Sequence, residues 1–392
     1  MGSQLSACVV IGVRDGERFL GQAIESVLGQ THRRLELRIY DNRSGDRSAA
    51  IARGYLGDPR VSYVLNDCDL GYYGSLNRGL AGTGCDAFVP FAADDVMAPA
   101  NLERKLAAMD EAQAGLVFGP ARRIDAAGDE FGMLGWGAEH RLFPAPAFFG
   151  QAAPINTVPC PSTLVRCDAL RALGGFDVRV PYSADWLAWL RLSLRTTVAH
   201  VAEPLVSWRS HDGNGTSQGS RSATFARDVP ATLQHAMRDP AFPERWHAIR
   251  APFLAACLAN CARALDAAGH RRLSAGPAAY ELAARAALLQ PEVPEFRSLF
   301  ESLVRDAGLT PPSWPFDAVA LDGEGSRALA DRLRASGLLH RLSDGIERLE
   351  PGRVALCRHG SDAIAAAEQR GLPVLLDDPP DPFANGACAA FG

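Results

Sequence analysis

Lysine is almost absent from this sequence of 392 residues, since Lys105 is the only lysine among 40 basic residues. Alanine and glycine are abundant, so we attribute the excess of arginine to the codon usage of a GC-rich genome and not to anion binding. The formal net charge of −5 provides no basic surface for a nucleic acid, and we expect no nucleic-acid partner.

Glycine-rich phosphate-binding loops are also missing. No GxGxxG follows the first apolar run, and GxxxxGK[ST] occurs nowhere, so neither a dinucleotide-binding fold nor a P-loop NTPase has support. The nine cysteines are scattered, and no two of them have the spacing of a zinc ribbon. We therefore expect reduced thiols, as in a cytoplasmic protein.

Long apolar runs are absent as well. The longest, Ala251–Ala262, is shorter than the roughly 20 residues that a membrane-spanning helix needs. The sequence does not open with a charged and then apolar signal segment. We expect a cytoplasmic protein without a transmembrane segment, peripheral at most to the inner face of the membrane.

What the sequence does contain is an alternation of strand and helix patterns in its N-terminal part. Apolar runs at 7–13, 35–40, 61–65 and 87–91 are typical of buried parallel strands, and segments with helical periodicity lie between them. This order predicts an α/β fold with a mainly parallel sheet that is flanked by helices on both faces.

Polar residues follow three of these strands directly, at Asp41–Asp46, at Asn66–Asn77, and at Asp94 and Asp95. The carboxyl ends of parallel strands meet at one edge of the sheet, where open α/β sheets bind ligands. Two adjacent carboxylates suit a divalent cation on a phosphate, because hard cations prefer oxygen ligands. They could equally precede a helix that opens at Pro99, where the helix dipole favours acids. Asp41 could likewise form an Asx turn.

The order of these motifs resembles that of the inverting family 2 glycosyltransferases. The resemblance extends over about residues 5–215 and is carried by these segments: 9–20, 23–31, 40–46, 66–79, 92–95, 162–166, 173–177, 184–192 and 204–211. It implies a GT-A fold, which is Rossmann-like, and the transfer of a sugar from a nucleoside diphosphate sugar of the UDP or dTDP type. The acceptor would be a hydroxyl of a glycan, a lipid-linked sugar or a protein, in bacterial surface-polysaccharide or glycoconjugate synthesis.

The resemblance also implies roles for individual residues. Those implied to bind the nucleotide sugar are Gly12, Val13, Asp15, Asp41, Asn77, Asp94, Asp95 and Arg209. Asp94 and His211 would hold Mg²⁺ or Mn²⁺ on the diphosphate. Asp185 would be the general base that deprotonates the acceptor hydroxyl.

Two positions depart from the family pattern, because Ala92 and Ala184 stand where the family has acids. These changes leave open a non-catalytic protein that binds nucleotide sugars or acts as a scaffold. A sugar nucleotidyltransferase is a further alternative. It would need a glycine-rich basic loop after the first strand, for which Arg14-Asp15-Gly16 is a poor match.

Phe131–Phe149 is an aromatic, irregular segment that we expect to form a loop on the acceptor side, although structural packing explains it nearly as well. The later residues predict helices at 222–238, 245–268, 274–289 and 294–307.

We predict three domains, comprising a glycosyltransferase domain at 1–220, a helical region at 221–310 and a small α/β module at 311–392. The predicted strands of the module are 316–321, 354–357 and 372–376. It could dock on the helices, bind the acceptor or form a homodimer.

Overall fold

The computed structural model describes residues 3–211, 213, 223–267, 279–290 and 293–306, together with four strands at 316–320, 339–344, 353–357 and 374–376. The chain divides into two compact units. One comprises Met1–Ser217 and Ala236–Pro243, and the other comprises Gln218–His235 and Glu244–Gly392. The predicted division into three domains stays a prediction.

The first unit contains an eight-stranded sheet in the order β3-β2-β1-β4-β10-β6-β11-β9. Its strands are β1 (Ala7–Val13), β2 (Leu35–Asp41), β3 (Val61–Leu65), β4 (Ala87–Ala92), β6 (Leu116–Phe118), β9 (Arg141–Phe143), β10 (Leu164–Arg166) and β11 (Val198–His200). The first four strands pair in parallel. β10 is antiparallel to both of its neighbours, and β9 is antiparallel to β11.

A second sheet of the same unit has the order β5-β12-β7-β8. Its strands are β5 (Val96–Met97), β7 (Ala121–Ile124), β8 (Glu130–Leu134) and β12 (Val206–Arg209). β12 runs antiparallel to β5 and parallel to β7. This sheet therefore joins the segment after β4 to a segment more than a hundred residues later.

Helices cover the main sheet because each presents an apolar or small face to it. The helices are α1 (Leu20–Leu28), α2 (Ser48–Gly54), α3 (Gly71–Gly82), α4 (Asn101–Glu111), α5 (Ala147–Ala152), α6 (Cys167–Ala172) and α7 (Ala184–Ser193). In α1 the buried face is Leu20, Ala23, Ile24 and Val27. In α3 a Cβ at Gly79 would lie only 2.6 Å from Val10 Cγ2, so glycine permits the close contact with β1.

The mainly parallel α/β fold is confirmed, and the four predicted strands agree with β1 to β4 within one residue. Two details differ. The helix expected at Pro99 begins at Asn101, because Pro99 and Ala100 form a turn after β5. The expectation of an irregular segment at 131–149 is wrong, since it contains most of β8, all of β9 and the start of α5. The strands involved are short or lie at sheet edges, so they carry little alternation.

The second unit combines helices with a parallel sheet. The helices are α8 (Ala223–Met237), α9 (Arg250–Ala267), α10 (Ala279–Leu289) and α11 (Pro294–Asp306), and a 3₁₀ segment at Glu244–Ile249 precedes α9. The sheet has the order β14-β13-β15-β16, with β13 (Phe316–Ala320), β14 (Leu339–Asp344), β15 (Arg353–Cys357) and β16 (Val374–Leu376). The predictions included three of these strands and missed β14. The sequence also predicts helices near 325–336 and 361–370, and both ranges lie outside the described residues.

One helix in the described part of the chain, Glu244–Ala267, is long and apolar enough to cross a membrane by length and composition. It is longer than the apolar run Ala251–Ala262 because helical turns extend it at both ends. Its buried residues include Cys257 and Cys261, which therefore contribute to packing. A core helix can have the same composition, so this feature is weak evidence for a membrane span.

Candidate active site

The carboxyl ends of β1, β2 and β4 meet at one edge of the main sheet. Gly12 is paired with Tyr40 on one side and with Ala92 on the other, and Val13 is paired with Asp41. Gly12 is also covered by α3, because a Cβ at this position would lie 3.4 Å from Tyr72 Cδ2. The topology therefore brings together Gly12, Val13 and Asp41, as the sequence predicted from the parallel order.

Asp41 is fully buried at this edge. Its Oδ1 accepts a hydrogen bond from the backbone N–H of Ser44 at 2.7 Å, and its Oδ2 accepts one from the hydroxyl of Tyr63 at 2.8 Å. Burial and the hydrogen bond to Asp41 raise the pKa of Tyr63 to about 12. These contacts favour a structural role for Asp41, and direct contact with a base stays a prediction.

A buried amide network, which the sequence reading missed, fixes the loops beside Asp41. Asn42 Oδ1 accepts hydrogen bonds from Asn66 Nδ2 at 2.9 Å and from Ser75 Oγ at 3.0 Å. The backbone N–H of Asn42 donates to the carbonyl of Val13 at 2.8 Å. Because buried polar groups need partners, this network ties the ends of β1, β2 and β3 to α3.

Asp15 is the exposed member of the predicted nucleotide-binding set. Its backbone has a left-handed φ of 52°, which is uncommon for a residue with a side chain. Its Oδ1 accepts a hydrogen bond from Gly45 N–H at 2.7 Å, and its own N–H donates to Ser44 Oγ at 3.0 Å. Asp15 therefore braces the 44–46 turn and still faces solvent.

Strand pairing explains how distant acids and bases converge on the segment after β4. Ser207 in β12 is paired with Val96 in β5 in an antiparallel register. Counting outward along both strands places Arg209 opposite Asp94, so the residues after β12 pass beside Asp94 and Asp95. The resemblance anticipated this convergence, but periodicity alone could not predict a strand of two residues.

Arg209 is buried, with 2% of its surface exposed, and it anchors the segment that follows β4. Its backbone N–H donates to Asp95 Oδ1 at 2.9 Å, and its Nε donates to the carbonyl of Asp94 at 2.8 Å. Its Nη2 donates to Gln22 Oε1 at 2.7 Å, and its guanidinium lies 4.6 Å from the ring centre of Phe19. These contacts favour a structural role over the predicted contact with the nucleotide sugar.

Asp95 lies beneath the surface, and its Oδ2 is a buried atom without a hydrogen-bond partner among the described residues. Burial, together with the charge of Asp94, raises the pKa of Asp95 well above its usual range. The burial excludes direct contact between this side chain and a sugar in the observed conformation. Asp95 instead orients Arg209 through its Oδ1.

Asp94 and His211 form the accessible pair, and Asp94 Oδ2 lies 2.9 Å from His211 Nε2. The ring of Phe19 packs against the imidazole with centroids 5.0 Å apart. The backbone N–H of Gly213 donates to His211 Nδ1 at 3.2 Å. In a neutral ring this leaves the proton on Nε2, where it donates to Asp94.

Asp94 Oδ2 and His211 Nε2 are also suitable ligands for a divalent cation. Adjacent ligands of an octahedral ion with bonds of about 2.1 Å lie about 3.0 Å apart, close to the observed separation. Coordination through Nε2 would require the His211 proton to move to Nδ1, in place of the bond from Gly213. Within the described residues, no group of three or more His, Cys, Asp or Glu side chains could hold a metal. The pair therefore fits an ion whose other ligands are substrate oxygens and water.

Asp185 is a mostly buried acid, with 7% of its surface exposed. It lies in the first turn of α7, and its Oδ1 accepts a hydrogen bond from the N–H of Trp186 at 2.7 Å. Asn156 Nδ2 approaches Oδ2 at 3.5 Å. Burial raises the pKa of Asp185 to about 6, against the lowering effect of these donors.

Tyr72, Tyr73 and Cys160, none of them identified from the sequence, lie near Asp185. Tyr73 lowers the pKa of Asp185, against the larger effect of burial. Burial, and then the charge of Asp185, raises the pKa of the Cys160 thiol well above its usual range. Adjacent tyrosines in the loop before Asn77 were the only available signal, and they read equally well as core residues.

Asn77 lies apart from these groups and clamps another loop. Its Nδ2 donates to the carbonyl of Phe176, and its Oδ1 accepts from the N–H of Phe176, both at 2.8 Å. The neighbouring Gly175 has a φ of +80° and passes so close that a Cβ would lie 2.4 Å from Asn77 Oδ1. This pairing favours a structural role for Asn77 over the predicted contact with a nucleotide sugar.

The aromatic residues of the 131–149 segment are mostly engaged with one another. Trp136 stacks on Phe148 with centroids 5.4 Å apart and meets Phe118 edge-to-face at 5.6 Å. Its Nε1 donates to Thr157 Oγ1 at 2.7 Å. Structural packing accounts for Trp136, while Phe131 remains half exposed.

Sequence comparisons agree with this architecture. Residues 8–174 match the family model described as Glycosyl transferase family 2. EpsE of Bacillus subtilis, a putative glycosyltransferase, is 28% identical over 199 residues, which are 49% of this chain and 68% of that protein. An uncharacterized glycosyltransferase of Haemophilus influenzae is 24% identical over 220 residues, which are 53% of this chain and 66% of that protein. The chain therefore spans about two thirds of the length of these relatives.

Solved structures show the same fold. Residues 1–349 of S. aureus TarS in complex with UDP align with a TM-score of 0.56 and 13% identity, covering 76% of this chain and 84% of that chain. The TarS complex with UDP-GlcNAc aligns with a TM-score of 0.52 and 13% identity, covering 77% and 92% of the two chains. The first unit of this chain thus has a GT-A-like α/β fold, and its residues 8–174 are similar to glycosyl transferase family 2.

Proposed function

We propose that the first unit transfers a sugar from a nucleoside diphosphate sugar to an acceptor hydroxyl, with inversion, and that Asp185 is the general base. The proposal rests on the environment of Asp185. Burial raises its pKa to about 6, so it is ionised at neutral pH and close to the pKa at which a base is most effective. An inverting transfer needs one such base and no covalent nucleophile.

The donor would lie along the carboxyl edge of the main sheet. Gly12, Val13 and Asp15 are at the end of β1, and the Asp94–His211 pair follows β4. TarS structures contain UDP and UDP-GlcNAc, which supports a uridine-type donor here, with dTDP sugars as the related class. Asp41 and Asn77 would support this surface from below.

Mg²⁺ or Mn²⁺, when bound, would neutralise the charge that develops on the leaving diphosphate. Asp94 Oδ2 and His211 Nε2 would hold it. Phe19 would fix the imidazole by packing against it, and Arg209 would fix the backbone of Asp94. The chain itself thus supplies two ligands and a rigid support for each.

We extend the proposal to an acceptor on a glycan, a lipid-linked sugar or a protein, within bacterial surface-polysaccharide or glycoconjugate synthesis. The similarity to bacterial proteins that are named glycosyltransferases supports this setting. It implies a cytoplasmic protein that works near the inner face of the membrane, with the second unit available for acceptor binding or for a homodimer.

A donor panel tests the proposal. The protein is incubated with UDP-glucose, UDP-GlcNAc, GDP-mannose and dTDP-glucose, with Mn²⁺, with Mg²⁺ or with EDTA, and released nucleoside diphosphate and donor affinity are measured. We expect one uridine or thymidine donor to bind and to turn over. Binding without turnover across many acceptors would support a scaffold. Pyrophosphate release from a nucleoside triphosphate would support a nucleotidyltransferase.

A further inference from the structure

Arg123, in β7, has a guanidinium whose buried donor is not satisfied by the fold. Its Nε is a buried atom without a hydrogen-bond partner among the described residues. The neighbouring Arg122 differs, because its Nη1 donates to the carbonyl of Pro204 at 2.6 Å and its Nε lies 3.5 Å from Glu130 Oε2. Most buried donors in proteins have partners, so something other than hydrogen bonding within the chain must account for the position of Arg123.

Two aromatic rings hold this guanidinium. Its Cζ lies 4.4 Å from the ring centre of Phe131 and 5.9 Å from that of Trp208. Trp208, in β12, is paired with Arg123, so their side chains share a face of the second sheet. We call these three residues the Arg123 stack. Arg123 is half-buried and Phe131 is half exposed, so the stack reaches the surface of the first unit.

Two acids of the β7–β8 hairpin have other partners. Glu130 lies beside Arg122, and Asp125 Oδ1 accepts hydrogen bonds from three backbone N–H groups of its own turn. A planar guanidinium presents a fork of N–H donors that matches the oxygens of a carboxylate or a phosphate. The positive charge of the Arg123 stack is therefore complementary to an anion from outside the chain.

The stack lies close to the Asp94–His211 pair along the chain. Trp208 is three residues before His211, and three extended residues span at most about 11 Å. β12 therefore connects the stack to the edge at which the proposed donor site lies. An acceptor of more than one sugar ring can extend over this distance, so the stack is within reach of a saccharide that is bound at that edge.

We propose that the Arg123 stack binds an acidic saccharide as the acceptor. The guanidinium pairs with a carboxylate or a phosphate group of the saccharide, and the exposed ring of Phe131 packs against the apolar face of a sugar ring. This inference rests on the proposed function, because that function supplies the need for an acceptor. It narrows the acceptor to a class, the glycans that carry acidic groups.

The test compares the affinity for acidic saccharides with that for a neutral one. NMR titrations give dissociation constants for methyl glucuronide, glucose 6-phosphate, methyl glucoside and inorganic phosphate, and titration calorimetry gives that for UDP. The variants are Arg123→Gln and Phe131→Ala. Arg122→Gln is the matched control for charge, since it removes the adjacent arginine. Met133→Ala is the control for exposed apolar surface, because Met133 lies in the same strand and is as exposed as Phe131.

We expect wild type to bind at least one of the two acidic saccharides about tenfold more tightly than methyl glucoside, the effect of a charge-assisted hydrogen bond. Which of the two binds better distinguishes a uronic acid from a sugar phosphate. Arg123→Gln should lose this preference. Phe131→Ala should weaken binding of all three saccharides about fivefold and leave inorganic phosphate unaffected. Both controls should match wild type, and affinity for UDP should change less than about twofold in every variant.

The contrary outcomes are distinct. If wild type turns over a donor but binds acidic and neutral saccharides equally, or if Arg123→Gln keeps the preference, this inference is wrong and the proposed function stands. The same holds if Arg122→Gln loses the preference equally, if inorganic phosphate binds as tightly as glucose 6-phosphate, or if Arg123→Gln loses affinity for UDP. If wild type binds no sugar nucleotide of the donor panel, the proposed function fails, and the acceptor role of the stack fails with it.

Discussion

Replacing Asp185 with asparagine should abolish turnover and, above pH 6, remove a source of instability. The pKa of Asp185 is raised from 3.8 to about 6, mainly by burial. The folded state therefore favours the protonated acid. That stabilisation is complete below pH 3.8 and is lost as the pH rises through 6. At about 1.4 kcal/mol per pH unit, the interval corresponds to about 3 kcal/mol.

Asparagine avoids this cost but loses part of the hydrogen bonding. It keeps one oxygen for the N–H of Trp186, whereas its amide nitrogen replaces the oxygen that accepts from Asn156 Nδ2. A mismatched hydrogen bond costs about 1 kcal/mol. We therefore expect Asp185→Asn to be about 2 kcal/mol more stable than wild type at pH 8 and about 1 kcal/mol less stable at pH 4.

Urea unfolding at pH 4, 6 and 8 measures these differences, and the same preparations give turnover and donor affinity. Asp168→Asn, an exposed acid in the first turn of α6, is the control and should show a difference that does not change with pH. A pH-independent difference for Asp185→Asn would refute the buried-base reasoning. Residual turnover combined with a collapse of donor affinity would show that Asp185 binds the donor and is not the base.

Four further variants test other parts of the first unit. Lys105→Met should stabilise the protein at pH 7 by up to about 5 kcal/mol and much less at pH 10, because burial lowers the lysine pKa from 10.5 to about 7. Urea unfolding measures both effects, and equal effects at the two pH values would contradict this prediction. Asn77→Ala should cost about 2 kcal/mol by releasing the backbone of Phe176, with donor affinity by calorimetry unchanged; weaker donor binding alone would restore a ligand-contacting role. Asp94→Ala and His211→Ala should each abolish any increase in turnover that Mn²⁺ produces over EDTA, and an undiminished increase would exclude the pair as ligands.

The sequence contained enough to predict the centre of the fold. β1 and β4 are buried on both faces and β2 is mostly buried, so their apolar runs are nearly continuous and end at polar residues. β5 and β9, by contrast, have only two and three residues and form because partners distant in sequence are available. No local pattern can report such pairing, which is why the second sheet was not anticipated.

The site was predictable in location but only partly in role. Parallel order alone places the residues after β1, β2 and β4 at one edge. Whether a side chain there faces a ligand depends on its neighbours. The hydroxyl of Tyr63 is hydrogen-bonded to Asp41, and the backbone carbonyl of Phe176 is hydrogen-bonded to Asn77. Such contacts come from residues tens of positions away, so residue type and spacing could not distinguish a ligand-binding acid from a structural one.

Ala184 stands where the family has an acid before Asp185, and the contacts of Asp185 bear on whether the protein is catalytic. Ala184 is fully buried and offers the base nothing. The carboxylate of Asp185 instead accepts hydrogen bonds from the N–H of Trp186 and from Asn156 Nδ2, so other neighbours supply support that the preceding residue cannot. The absence of an acid at Ala92 is similarly offset at Asp94, which pairs with His211. Both alanines therefore coincide with acids that have acquired other partners, which favours an active transferase over a scaffold.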